Sequence, residues 1–381
     1  MSIQTEKKVI IYQYRLLHYR TELFDKLKVR CKKDNIELVL IHGQATNFES
    51  LKKDEGFLPW AIPVKNKYFR LKSRDILWQP VTKNILNADL VIFMQENRLI
   101  SNYFIQFLSL FLKYKTAYWG HGYNFQSSNP NGLREKWKRF LVKSVDWWFA
   151  YTEMTSNYVL ESSFPLSKIT CLNNSIDTDH FKKQIESIQT SDLDELREQL
   201  GIQNNAQTAL FCGSLYRQKR IDIIIESALL IKKRVPNFHL IVIGDGPLKP
   251  ELVELAKEHT WIHVVGVKNG IEKAKYFKLA SIMFNPGLVG LHIVDAFCAS
   301  LVMVTLKDSA HSPEIAYLED KKNGLIVDGG SPEYAEAIIN LYNNPQLLDS
   351  MRINAKQASN TYTLDNMVEN FAQGIKRAIY E

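Results

Sequence analysis

Short runs of apolar residues recur along the chain, separated by longer stretches in which apolar and polar residues follow a helical spacing. Such runs predict buried parallel strands, and the stretches between them predict the covering helices. In the first half the runs are 9–11, 38–41, 90–94 and 147–150. In the second half they are 208–212, 240–243, 263–265, 282–285, 302–305 and 325–327. The pattern therefore predicts an α/β protein with two doubly wound domains.

The polar stretch 182–205 contains no strand-like run and predicts a linker followed by a surface helix. We place the domain boundary there, with residues 1–182 as the N-terminal domain and residues 183–359 as the C-terminal domain. Segment 360–381 comes after the last predicted strand, and we expect a helix that packs back onto the N-terminal domain. Its apolar positions at helical spacing are Leu364, Met367, Val368, Phe371 and Ile375.

Composition narrows the class of protein. With 381 residues, of which 45% are hydrophobic and 23% charged, the chain fits a globular protein of two domains. Its four cysteines are far apart and its nine histidines show no ligand spacing, so we predict no metal and no cofactor. No secretory signal opens the sequence, and the longest apolar stretch, 103–112, is too short to span a bilayer. We therefore expect a cytoplasmic protein.

Charge is distributed unevenly between the two halves. Residues 1–182 hold 27 Lys and Arg against 17 Asp and Glu, a net charge of +10, and the remainder holds 21 against 24, a net charge of −3. A basic first half favours an anionic acceptor or an anionic membrane surface, although a solvated basic surface and affinity for nucleic acid remain alternatives.

The loop after the run 208–212 carries clustered cations. Gly213 and Ser214 come first, and Arg217, Lys219 and Arg220 follow within the next few residues. A flexible glycine beside several cations suits a diphosphate, although exposed basic loops are also common without a ligand. In open α/β sheets ligands bind beyond the carboxyl ends of strands, which is where this loop is predicted to lie.

Three further loops follow predicted strands. The Gly-Asp-Gly-Pro turn at 244–247 is explained by turn geometry alone, whereas the segment ending at Val267 leaves backbone groups that can face a nucleobase. The third loop leads into a helix whose start would attract phosphate and whose Asp295 would accept hydrogen bonds from ribose, unless it only stabilises the first helical turn. Its residues are Gly287, Leu288, Val289, Gly290 and Leu291.

In this order the loops resemble glycosyltransferase family 4. The resemblance is strongest over 212–328, including Ser-Pro-Glu-Ile at 312–315 and Asn-Gly-Leu-Ile-Val at 323–327, and Asn-Ser-Ile-Asp at 174–177 is similar to the turn that closes the family's first domain. It implies the GT-B fold, two facing Rossmann-like domains with a cleft between them. It also implies retaining transfer of a sugar from a nucleotide diphosphate, with UDP the favoured nucleotide.

The sequence departs from the family at two positions. The family usually has two glutamates eight positions apart, where this chain has Gly287 and Asp295, so the sugar hydroxyls would need other partners than the first acid. Ser214 stands where many members place a phosphate-binding arginine, and we expect Arg217 to reach the same charge. Lys219 matches the family lysine. Together, Lys219 and Arg217 would offset the charge of the leaving diphosphate without a metal ion.

In the first domain, His121 lies between two glycines directly after a predicted strand. It resembles the family's interdomain histidine, whose role is a hydrogen bond to the donor sugar; a structural histidine is the alternative. His18 and Arg20, in the first loop, are weaker candidates for contact with the acceptor. The Asp-Thr-Asp at 177–179 matches a metal motif of another glycosyltransferase architecture, but it falls in the closing turn, so we reject a metal role.

The resemblance places the product among surface polysaccharides or lipid-linked oligosaccharides, with a glycan or a polyprenyl-diphosphate-linked acceptor. The alternatives are a sugar-nucleotide epimerase of the same fold and a non-catalytic carbohydrate-binding homologue. Two stretches, 103–114 and 134–148, have the composition of interfacial helices, which would give peripheral contact with an anionic membrane. Core helices with a basic solvated face have the same composition.

Overall fold

A computed structural model describes residues 6–46, 49–52, 54–71, 74–122 and 141–381. The chain divides into two compact units. The N-terminal unit comprises the chain up to Asp177 together with Leu364–Glu381, and the C-terminal unit comprises Thr178–Thr363.

In the N-terminal unit the described residues form one parallel sheet in the strand order β3-β2-β1-β6-β7-β8-β9, with an antiparallel hairpin of β4 and β5 beside it. The strands are β1 (Lys7–Gln13), β2 (Ile36–His42), β3 (Ile62–Pro63), β4 (Lys67–Leu71), β5 (Arg74–Trp78), β6 (Leu90–Met94), β7 (Lys115–Gly120), β8 (Trp147–Ala150) and β9 (Ile169–Cys171). The helices between them are α1 (Thr21–Lys33), α2 (Ile100–Leu112) and α3 (Glu153–Glu161). The central strands are buried on both faces, which is why their sequences are continuously apolar.

The C-terminal unit has a six-stranded parallel sheet in the order β12-β11-β10-β13-β14-β15. Its strands are β10 (Gln207–Cys212), β11 (Phe238–Ile243), β12 (Ile262–Gly266), β13 (Ile282–Phe284), β14 (Val302–Leu306) and β15 (Gly324–Val327). Its helices are α4 (Thr178–Ser187), α5 (Thr190–Leu200), α6 (Ile221–Arg234), α7 (Lys249–Glu258), α8 (Gly270–Leu279), α9 (His292–Cys298), α10 (Ser331–Tyr342) and α11 (Pro345–Thr361). Each of the six apolar runs predicted in this half overlaps one of these strands.

The division between the units falls after Asp177, where the sequence analysis placed it after residue 182. The difference arises because 178–187 is the helix α4, which packs on the C-terminal unit. Phe181 of α4 stacks edge-on against Phe277 of α8, with ring centroids 5.4 Å apart. The Lys278 ammonium also donates to the carbonyl of Ile185, at 2.9 Å. Helix α4 therefore belongs to the core of the second unit.

The chain returns to the N-terminal unit through helix α12 (Leu364–Tyr380). Phe371 lies on the aromatic residues of the sheet, with ring centroids 5.1 Å from Trp119 and 4.7 Å from Phe149. Gly374 allows α12 to approach the sheet closely, because a Cβ there would lie 2.5 Å from the hydroxyl of Thr170 and 2.7 Å from the ring of Phe149.

None of the helices in the described ranges is both long and apolar enough to cross a membrane.

We predict that Gly374→Ala destabilises the protein, although alanine is favoured over glycine in a helix by about 1 kcal/mol. The new methyl group has to displace β8 and β9, an overpacking that costs about 1–3 kcal/mol. Thermal unfolding should show a lower midpoint for Gly374→Ala. The matched change Gln373→Ala, at the exposed neighbouring position, should leave the midpoint unchanged. Equal midpoints for the two variants would contradict the prediction.

Candidate functional site

Two loops meet at the carboxyl ends of the neighbouring strands β10 and β13. The chain leaves β10 toward α6 and leaves β13 toward α9, and these strands occupy the centre of the sheet, where the strand order reverses. Such a switch point leaves a crevice beyond the strand ends, which is the usual ligand site of open α/β sheets. We call 213–220 the cationic loop and 285–291 the glycine loop.

The two loops are in direct contact. The Leu288 N–H donates to the carbonyl of Gln218 at 3.1 Å, and the Lys219 ammonium donates to the carbonyl of Leu288 at 2.6 Å. A Cβ at Gly287 would lie 2.5 Å from Cα of Lys219, a distance that real Cβ atoms do not reach. Glycine at position 287 is therefore a packing requirement of this site. The acid that the resemblance would place there has no room.

Lys219 is buried, with 6% of its surface exposed. Burial lowers the pKa of its ammonium to about 8, because the charged form loses hydration that a single carbonyl only partly replaces. The predicted phosphate-binding lysine is thus held inside the junction of the two loops, where it stabilises them against each other.

Part of the glycine loop is occupied by bonds within the unit and part is open to a ligand. The Val289 N–H donates to Nδ1 of His311 at 3.2 Å, and Leu288 is bonded to Gln218 as described. The N–H groups of Gly290 and Leu291 donate to no residue in the described part of the chain. These two residues directly precede α9. Of the loop residues predicted to bind phosphate, they are the ones whose N–H groups can donate to it.

Asp295 of α9 forms a nearly buried ion pair. Its carboxylate lies 2.6 Å from the ammonium of Lys273, on α8. The same ammonium lies over the rings of Phe181 and Phe277, 4.8 and 5.1 Å from their centroids. Burial acts to lower the pKa of Lys273, but the adjacent Asp295 carboxylate outweighs it and the pKa is raised. Asp295 is thus oriented by a cation, and its carboxylate oxygens can accept hydrogen bonds from hydroxyl groups.

Two histidines hydrogen-bond to residues of the glycine loop. His311 accepts from Val289 through Nδ1, and Nε2 lies 2.7 Å from the carbonyl of Leu306, which fixes its neutral form. Nε2 of His292 lies 3.0 Å from the side-chain oxygen of Asn285, whose amide donates to the carbonyl of Gly287. Burial lowers the pKa of both histidines. Sequence reasoning missed these residues, and their only signal is a polar side chain beside a buried strand end.

The remaining residues predicted to bind the donor lie at separate positions in the C-terminal unit. Arg217 lines a separate cavity of about 400 Å³, on the side of the cationic loop that faces the starts of α6 and α7. The cavity is otherwise lined by Arg220, Ile221, Asp222, Leu248 and Glu251. Ser214 is exposed, as is Val267 after β12, and Gly213 continues β10 by donating to the carbonyl of Ile243. The structure therefore joins Lys219 to the glycine loop and sets Arg217 on a different cavity.

In the N-terminal unit, His121 is exposed directly after β7, with its ring edge-on to Tyr151 at 4.4 Å. Arg20, the other residue considered for contact with the acceptor, is buried. Its guanidinium donates to the side chain of Asn174 at 2.6 Å and lies 5.6 Å from the ring centre of Trp119. These contacts make Arg20 a residue that stabilises its unit. His18 is exposed beside Asp54, and contact of either residue with an acceptor stays a prediction.

A further polar network lies where β1 and β6 end. The Tyr14 hydroxyl accepts from Arg15 at 3.1 Å and lies 3.4 Å from the carboxylate of Glu49. Arg98 covers the ring of Tyr14 and binds the carboxylate of Glu96 at 2.6 Å. Burial, together with the charge of Glu96, raises the pKa of Tyr14. The network contains two carboxylates, two guanidinium groups and a phenol. These hydrogen-bond donors and acceptors suit a ligand rich in hydroxyl groups.

Comparison with known proteins defines the class. Residues 192–358 match the family model of glycosyl transferases group 1. HepE of Anabaena, solved in complex with UDP, superimposes with a TM-score of 0.68 at 15% identity, over 97% of this chain and 99% of that one. A UDP-GlcNAc 2-epimerase from Neisseria meningitidis gives 0.60 at 15% identity, over 97% and 99%. The fold is of the GT-B type, with two Rossmann-like domains.

A glycosyltransferase is among the relatives that match part of this chain. Alpha-monoglucosyldiacylglycerol synthase of Acholeplasma laidlawii is 29% identical over 173 residues, which are 44% of this chain and 42% of that protein. The match thus spans about two fifths of the relative. The match to the group 1 model covers the part of the chain that carries the cationic and glycine loops.

The contact between the loops predicts different outcomes for two glycines of one loop. Gly287→Ala should lower the thermal midpoint, because its methyl group meets the backbone of the cationic loop and overpacking costs about 1–3 kcal/mol. Gly290→Ala should be tolerated, because a Cβ there meets no atom nearer than 3.9 Å. Differential scanning fluorimetry of both variants checks this. Equal midpoints would show that the loops can separate without cost.

Proposed function

We propose that this protein is a retaining glycosyltransferase that takes its sugar from a nucleotide diphosphate sugar, with UDP as the favoured nucleotide. The observation that carries the proposal is the junction of the cationic and glycine loops at the switch point of the C-terminal sheet, with Lys219 inside it and Asp295 beside it. The match of this unit to the group 1 model supports it. HepE has also been solved in complex with UDP-glucose.

In the proposed complex the diphosphate lies at the junction. The N–H groups of Gly290 and Leu291 donate to it, and the Lys219 ammonium, which has donor capacity beyond its bond to Leu288, contributes the positive charge. Asp295, held by Lys273, accepts from the ribose hydroxyls. Charge on the leaving diphosphate is offset by these groups, so the proposal includes no divalent metal ion.

The acceptor is assigned to the N-terminal unit. The network of Tyr14, Glu49 and Arg98 supplies donors and acceptors for hydroxyl groups, as described above. Asn66 adds a buried side-chain oxygen that has no partner in the described part of the chain. His121 hydrogen-bonds to the donor sugar in this proposal. The acceptor class is a glycan or lipid-linked oligosaccharide of surface polysaccharide synthesis in the cytoplasm, and the name of the Acholeplasma relative supports a lipid-linked acceptor.

A sugar-nucleotide epimerase is the second candidate, and the similarity to the Neisseria enzyme favours it. An epimerase would interconvert a nucleotide sugar without any acceptor. A non-catalytic homologue would bind the nucleotide sugar and leave it unchanged. Incubation with the nucleotide sugar alone, followed by analysis of its sugar, distinguishes these functions from transfer.

The proposal predicts that one class of nucleotide sugar raises the thermal midpoint. Binding to the folded state stabilises it by about 2.7 kcal/mol at a ligand concentration one hundred times the dissociation constant. A fluorimetric panel of UDP-, GDP-, ADP- and dTDP-sugars measures this. Lys219→Ala should abolish the shift, and Lys307→Ala, at an exposed lysine of the same unit, should keep it. His121→Ala should keep the shift and slow the transfer. A panel without any shift would refute the proposal.

The lowered pKa of Lys219 predicts a pH dependence of donor affinity. Below pH 7 the ammonium of the free protein is charged, and as the pH rises through about 8 the proton is lost, so binding must take it up again. The affinity for a nucleotide sugar should therefore be constant at low pH and fall by up to about tenfold per pH unit above 8. Isothermal titration calorimetry between pH 6.5 and pH 9, in steps of about half a pH unit, measures this. Lys219→Arg, which stays charged, should bind without this dependence; a parallel decline in both proteins would contradict the assignment.

A further inference from the structure

Helix α2 exposes an unusual number of large apolar side chains. Phe107, Leu110 and Phe111 have 55%, 75% and 66% of their surface exposed, and Ile100 and Phe104 on the same helix are also exposed. Phe107 and Phe111 contact each other, with ring centroids 5.2 Å apart. The thirteen residues of α2 include no charged side chain. A helix that faces water normally carries its polar residues outward.

Three polar residues of α2 contact the rest of the N-terminal unit. Ser101 and Asn102 are buried, and they bond to the backbone of Gln79 and of Met94, respectively. Gln106 donates to the hydroxyl of Ser144 at 2.8 Å. The helix is thus anchored by polar contacts on its inner side and presents its apolar side outward. The inner side also buries Ile105 in the core, so the helix is apolar on both sides.

The exposed apolar surface continues onto the hairpin of β4 and β5. The ring of Trp78 lies 5.6 Å from that of Phe104. Phe69, which is 54% exposed, pairs with Ile76 across the hairpin and lies on the same face as Trp78. We define the α2 apolar surface as Phe69, Ile100, Phe104, Phe107, Leu110 and Phe111.

Three exposed lysines lie near this surface. Lys113 is exposed and follows α2 directly, and Lys143 is exposed beside Ser144, which holds Gln106. Lys67 is exposed on the face of the hairpin that carries Phe69. Lysine side chains can lie along an apolar surface while their ammonium groups reach the phosphates of a lipid headgroup layer.

We propose that the α2 apolar surface docks onto an anionic lipid bilayer, with α2 lying in the plane of the interface. A helix of thirteen residues is about 20 Å long, shorter than the hydrocarbon layer of about 30 Å, so it lies on the membrane. A second copy of the chain fits less well, because a symmetric contact would bring the lysines around the two surfaces together. The inference stands on the N-terminal unit alone and goes beyond the proposed sugar transfer.

Co-sedimentation with vesicles tests the docking. Wild-type protein should bind vesicles of phosphatidylcholine with phosphatidylglycerol. Phe107→Ser/Leu110→Ser/Phe111→Ser should lose more than about tenfold of that affinity. The matched control Phe57→Ser/Leu166→Ser/Ile353→Ser, at equally exposed apolar positions elsewhere, should bind like wild type. Lys113→Gln/Lys143→Gln should lose about fivefold per lysine on the anionic vesicles and nothing on phosphatidylcholine alone.

Two results would overturn the proposal. In one, the α2 triple variant sediments with vesicles as wild type does. In the other, light scattering shows a wild-type dimer that the triple variant loses, while neither protein binds vesicles, so that a second copy covers the surface. Far-UV circular dichroism and the midpoint of thermal unfolding, compared with wild type, serve as the control for folding. The thermal shift given by a nucleotide sugar reports on the C-terminal unit, so a failure of docking and a failure of the proposed sugar transfer are observed separately.

Discussion

The contact of Gly287 with the backbone at Lys219 is the constraint on which the candidate site depends. It brings the loops that follow β10 and β13 together, and it leaves the Lys219 ammonium with the carbonyl of Leu288 as its partner. A side chain at position 287 would separate the loops and expose the lysine to water. The absence of the first acid and the unusual environment of the lysine are therefore two results of one packing contact.

The two lysines of this site differ in how their charges are compensated. Lys219 is nearly surrounded by protein and has no carboxylate partner in the described structure, so its positive charge is poorly compensated until an anion arrives. Lys273 and Asp295 compensate each other, and the rings of α4 and α8 shield them from water. In the proposed complex the first cation binds the diphosphate, and the second fixes the direction of a carboxylate. Preorganisation of this kind lowers the cost of binding a charged ligand.

The sequence predicts the second sheet well, because buried parallel strands appear as continuous apolar runs at β10, β11 and β14. In the first unit it does not predict the short strands β3 and β9 or the hairpin of β4 and β5, because these segments lack such a run. The loops of the site were found from strand ends and glycines, but the pairing of Lys273 with Asp295 depends on how α8 approaches α9. The separation of Arg217 from Lys219 depends on the tight 3-10 turn that contains them, which directs neighbouring side chains differently. Such contacts are set by tertiary structure.

The return of α12 to the first unit has a consequence for synthesis on the ribosome. Its residues Met367 and Phe371 complete the core around Trp119 and Phe149, yet they are translated only after all of Thr178–Thr363. During that interval the aromatic face of the first sheet lacks its cover, whereas the second unit is continuous in the chain and can fold as soon as it emerges. The unit that is translated first therefore completes its fold last. Its apolar face is the part of the nascent chain that a chaperone would protect.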